Sequence, residues 1–143
     1  MSHLNNSRKL SRRWMVAGVG AVWLSSASPA WAGSYLNRAA LLVGEAGREA
    51  ALLRKHLYDK EFAMLVHRVS IGRLKAAREM LVPKEVIEAH PHLMLMLEKF
   101  ERAAQAAVDR HPQLFLKRLR QARDERQVFG SILKQLGWEL PPL

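Results

Sequence analysis

The chain has 143 residues, a formal net charge of +10 and no cysteine. That length suits one domain with one modest core. The missing thiols exclude disulfides, iron–sulfur clusters, covalently attached haem and cysteine nucleophiles.

The first element in chain order is an export leader. Arg8, Lys9, Arg12 and Arg13 precede an apolar run from Trp14 to Leu24, and small and polar residues follow up to Ala32. A bilayer core needs about 20 apolar residues in a helix, so this run is too short to span comfortably. Ser25, Ser26, Ser28 and Pro29 predict an extended segment in which Ala30 and Ala32 form the small-x-small pattern of a cleavage site. Cleavage is expected after Ala32, which divides the chain into a signal peptide at 1–32 and a helical domain at 33–143.

Ser11, Arg12, Arg13, Trp14, Met15 and Val16 resemble the twin-arginine export signature, a hydroxyl residue, two arginines, any residue and two apolar ones. The resemblance covers the leader alone. It implies a passenger that folds before export, sometimes in company with a partner that carries a cofactor. No basic residue lies between Leu24 and Ala32, where such leaders often have one, so the general secretory route stays open. An uncleaved leader that tethers a basic protein to the membrane surface is a further alternative. Either export route places the domain in the periplasm or outside the cell, a location that argues against nucleic acid as partner.

Beyond Ala32 the chain carries 19 basic and 13 acidic residues, a net +6. A surplus of that size favours an anionic protein or an anionic envelope surface. From Tyr35 to Leu57, Leu36, Ala40, Val43, Ala46, Ala50, Leu53 and Leu57 recur at steps of three and four, which predicts an amphipathic helix. Past Leu57 the stripe moves to Phe62, Leu65, Val66 and Val69, on the other side of a straight helix. A turn is therefore expected at Tyr58 and Asp59, with Asp59 capping a second helix that runs to about Leu81 and has a weak spot at Ser70 and Gly72. Val82, His90 and His111 each precede a proline, so three restarts are expected: a short turn from Pro83, a helix from Pro91 to about Arg110, and a helix from Pro112 to Leu136 that stops at Gly137. The sum is an all-α fold, a small antiparallel bundle of about four main helices, with Trp138 and Leu140 laid over one end.

Four clusters carry chemistry worth weighing. His90, His92, Met94 and Met96 supply imidazole and thioether, the donor set for copper(I), but residues two apart diverge by about 200° on a helix. A core helix with Met filling gaps and His capping is the expectation, with a periplasmic copper-handling protein as the alternative. His56 and His67 face one another only if the first turn brings them together. Lys117, Arg118, Arg120, Arg123 and Arg126 concentrate charge on the last helix and form the expected partner-binding face. Arg68, Arg73, Lys75 and Arg78 would widen it if the second and last helices are neighbours, and Asp124 and Glu125 are the local acidic partners expected on a solvated face. No Glu-x-x-His, Gly-x-Ser-x-Gly, His-Glu-x-x-His, P-loop or dinucleotide pattern occurs. The expectation is an exported, cofactor-free, non-enzymatic helical protein that binds another macromolecule, with an accessory subunit of a larger exported complex as its specific version.

Overall fold

The computed structural model describes residues 29–143, in which four long helices and one short 3-10 turn follow each other: α1 (Pro29–Lys55), α2 (Lys60–Arg78), the turn Lys84–Val86, α3 (His90–Val108) and α4 (Pro112–Gln135). There is no strand among the described residues, so the all-α bundle holds. The apolar run at Trp14 to Leu24 and the paired arginines lie outside the described residues. No described helix is long and apolar enough to cross a membrane.

The helix boundaries follow local chemistry. Asp59 caps α2, its side chain accepting a hydrogen bond from the Phe62 amide at 3.0 Å, and Glu61 lies in the first turn near the positive end of the helix dipole. Prolines in the first turns of α3 and α4 fit because the missing amide would have no helical partner there. Neither His90 nor His111 makes a side-chain cap, so the expected histidine capping is absent and proline alone starts both helices. α4 ends where Gly137 takes φ +83° and the Trp138 amide reaches back to the Leu133 carbonyl at 2.8 Å. α3 ends in the same left-handed geometry, but on Arg110 at φ 58°, with the His111 amide bonded to the Ala106 carbonyl.

Helix α3 is the centre of the bundle. It packs against α2 on one flank and α4 on the other and also touches α1, whereas α1 packs on α2 and α3 without closing onto α4. Leu93, Leu97 and Phe100 are buried, and Ala103, Ala104, Ala106 and Ala107 keep its second half thin so that neighbours approach closely. Phe115 and Phe129 of α4 are fully buried, and Trp138 and Leu140 pack partly buried against the core as expected. The tail ends with the Leu143 side chain resting on Gly44 of α1, where a Cβ would collide with it.

Two expectations are corrected. The first helix starts at Pro29 rather than Tyr35, so the extended segment predicted around Ala30 and Ala32 is helical and Ala32 is buried. Proline suits a first turn and alanine is the strongest helix former, so these residues extend the helix once it has a bundle to pack against. On α2 the buried face is Ala63, Val66, Ser70, Leu74 and Ala77, while Leu65 and Val69 are exposed. α2 passes through Ser70 without interruption, its hydroxyl bonding back to the Val66 carbonyl at 2.7 Å.

Arg73, expected on an exposed basic face, is also turned inward. Its Nη2 lies 2.6 Å from Glu49 Oε1 on α1 and its guanidinium sits 5.7 Å from the centre of the Phe100 ring. The contact is short but off the hydrogen-bonding axis, which leaves the guanidinium nitrogens and Glu49 Oε2 buried without hydrogen bonds. Such a pair costs desolvation that its attraction only partly offsets. Replacing Arg73 with Met alone should destabilise the domain by about 3 kcal/mol, because a carboxylate is then stranded, and adding Glu49→Leu should recover most of that loss in urea unfolding. Independently, Arg110→Gly should raise stability by about 1 kcal/mol, since glycine takes the left-handed conformation without the side-chain penalty.

Candidate functional site

Because α1 does not close onto α4, the bundle has an open edge. A groove of about 590 Å³ runs along it. Its floor is Met96 and Phe100 of α3 with Val43 of α1 and Ala122 of α4, all buried. The α1 wall is made of small residues, Ala46, Gly47, Ala50 and Ala51, and Leu119 faces it from α4. A Cβ placed on Gly47 would lie 3.7 Å from Arg126 Nη1, so the two walls come within reach of each other there.

Four cations line this groove: Arg54 and Lys55 in the last turn of α1, Arg123 and Arg126 on α4. No acidic residue lines it, and none of the four forms an ion pair within 4 Å among the described residues. Every acidic residue of the chain lies between 45 and 139. Arg54 and Lys55 are suited to the negative end of the α1 dipole, which explains their place on the helix and leaves their charged groups available. The arrangement is an apolar trough with positive edges, able to bury an apolar ridge while meeting negative charge on both flanks.

The expected basic face is divided by this geometry. Arg123 and Arg126 belong to the groove. Lys117 and Arg120 are exposed outside it, and Arg118 is half-buried with Nη1 donating to Gln121 Oε1 at 2.9 Å. The contribution expected from α2 is absent, because α3 lies between α2 and α4 and Arg73 is internal. The second basic wall comes from α1 instead. Glu125 does not pair along its own helix: it crosses to His92 on α3, Oε2 to Nδ1 at 2.8 Å. Sequence periodicity alone did not single out Arg54 and Lys55, although their place at the C-terminus of α1, opposite the antiparallel α4, was a signal for them.

The histidine and methionine donors are dispersed. His90 Nδ1 meets the Tyr35 hydroxyl of α1 at 3.0 Å, whereas His92 turns to α4. Met96 lines the groove floor, and Met94 is half-buried against the core. Among the described residues no group of three or more His, Asp or Glu is placed to hold a metal ion. His56 is exposed and packs edge-on against Phe62, and His67 bonds Glu101 Oε1 at 2.6 Å, so these two do not pair. No family model, curated protein or solved structure matches this chain. The fold and groove define the class by themselves, an open helical bundle with one cation-edged apolar trough among its described features.

The Tyr35–His90 contact has a pH consequence. With Tyr35 donating, Nδ1 must carry a lone pair, so the imidazole is neutral in this arrangement. Burial lowers the His90 pKa from the usual histidine range and raises that of the Tyr35 phenol. A folded-state pKa below the unfolded one means that the unfolded chain takes up more protons below about pH 6.5, so acidification destabilises the fold. His90→Gln removes this component. Between about pH 7.5 and pH 5, its urea midpoint should fall less than that of the wild type, the other histidines being common to both proteins.

Proposed function

We propose that this chain is an exported, non-enzymatic helical protein whose work is to hold another protein, and that the α1–α4 groove is the surface that does it. The observation that carries the reading is the groove's combination of a buried apolar floor with four unpaired cations and no acid. A concave groove lined mostly by apolar and small residues is a natural binding site, and charge around it steers and orients the partner. Export rests on the leader, whose paired arginines resemble the twin-arginine signature. A passenger of that kind with no cofactor motif of its own fits an accessory subunit of a larger exported assembly, the partner being anionic where it meets Arg123 and Arg126.

The chain has no cysteine, so a single Ala51→Cys substitution places one photo-crosslinker on the exposed rim of the groove, clear of the trough at Gly47. In envelope extract of the native host it should yield one discrete adduct with a second protein. Arg123→Glu with Arg126→Glu should cut its yield at least about tenfold, whereas Lys117→Glu with Arg120→Glu should leave it within about twofold, because only the first pair edges the trough. Recovery of monomer alone, or equal loss with both pairs, would refute the reading.

A further inference from the structure

We infer that the groove's occupant is an acidic amphipathic helix of the partner protein, which lies along α1 and α4 and fills the open edge of the bundle; this inference rests on the binding role just proposed. Three observations select a helix. First, the groove is an open edge between two helices with a third beneath it, so a helix laid there finds the same surroundings as the helices of the bundle have, at the usual spacing of about 8 to 10 Å. Second, the α1 wall consists of alanines and Gly47, which lets another backbone come close. From Val43 to Lys55 this wall is about 18 Å long, the length of about 12 helical residues. Third, the cations are distributed on both walls: Arg126 stands beside Gly47, and Arg54 and Lys55 lie about two turns further along α1. A single anionic headgroup would use one of these places. A helix with an apolar ridge and carboxylates on both flanks uses all of them.

Charge argues against the described helices as the occupant. Each carries arginine beside its acids, as with Arg48 and Glu45 on α1, Arg68 and Glu61 on α2, Arg102 and Glu98 on α3, and Arg120 and Asp124 on α4, so none offers carboxylates alone. The leader's Arg8, Lys9, Arg12 and Arg13 would be repelled by the groove edges. Charge complementarity therefore selects a different protein that contributes Glu or Asp at the flanks of a Leu- and Ala-rich stripe.

The test uses the purified full chain and a synthetic helix-forming peptide with Leu and Ala at three- and four-residue steps and Glu on both flanks. The peptide should bind saturably and gain helicity on binding. A scrambled peptide of the same composition, and one with Lys for Glu, should each bind at least about tenfold more weakly. Gly47→Leu, which fills the trough, should weaken binding about tenfold or more, and Arg123→Glu with Arg126→Glu gives the same result from surface positions that do not threaten folding. Gly72→Leu, on α2 with open space around it, should leave binding unchanged. Equal binding of the scrambled peptide would overturn the proposal. So would binding of oleate or phosphatidylglycerol vesicles, blocked by Gly47→Leu, in place of the peptide, since the occupant would then be an acyl chain. If the peptide fails while a protein still crosslinks at position 51, the acidic helix is rejected and the docking role stands.

Discussion

Helix α3 can be buried only if helices surround it, and the rest of the bundle follows from that constraint. Its apolar side chains cover too much of its circumference for one neighbour, so α2 and α4 take opposite flanks and α1 lies across α2 and α3. The alanines of its second half exchange side-chain volume for closeness beside the start of α4, where Phe115 is fully buried, while Phe129 is fully buried toward the His92 end of α3. The ion pair between Arg73 and Glu49 belongs to the same arrangement. It joins α1 to α2 beside Phe100, and its unsatisfied nitrogens show that it ties the two helices at some cost.

Serving α3 on several sides leaves α1 and α4 apart. A bundle of four antiparallel helices closes when the first and last also meet, and here they do not. The result is a groove whose apolar floor is nearly dry and whose wall of small α1 residues, Gly47 and Ala51, stays exposed. The cations beside it form no ion pair within 4 Å: Glu49 is engaged with Arg73 and Glu125 with His92, and Asp124 of α4 pairs with none of them. Exposed arginines add little to stability, and in the proposed binding role they would select what approaches the trough. Affinity would come from burying the exposed Ala51 and Gly47 and the partly covered Ala50 and Leu119 along its walls.

The number of helices, their order and most of their ends were legible in the chain. Asp59, the three prolines and Gly137 act locally, and local signals survive packing. The faces were less legible. On α2, Phe62, Leu65, Val66, Val69 and Ile71 are spread so widely that apolar character does not say which side is inward, and small residues settled it through close approach. Arg73 reads as a surface residue until Glu49 is brought beside it from 24 positions away. Half of the groove was legible as the basic stretch of α4. Its other half is written in Ala46, Gly47, Ala50 and Ala51, which by composition are an ordinary helix face and acquire meaning only because α4 stands off from them.

Under the proposed export with removal of the leader after Ala32, the early start of α1 would set up a race at one peptide bond. A signal peptidase takes its substrate extended, yet the bond after Ala32 lies inside a wound turn whose alanine is packed away from solvent. Cutting and winding exclude each other there. A precursor that reached the enzyme before that turn formed would lose its leader, whereas one that folded first would have to fray the end of α1 to be trimmed, so the rate of maturation would become a readout of how firmly the first turn is held.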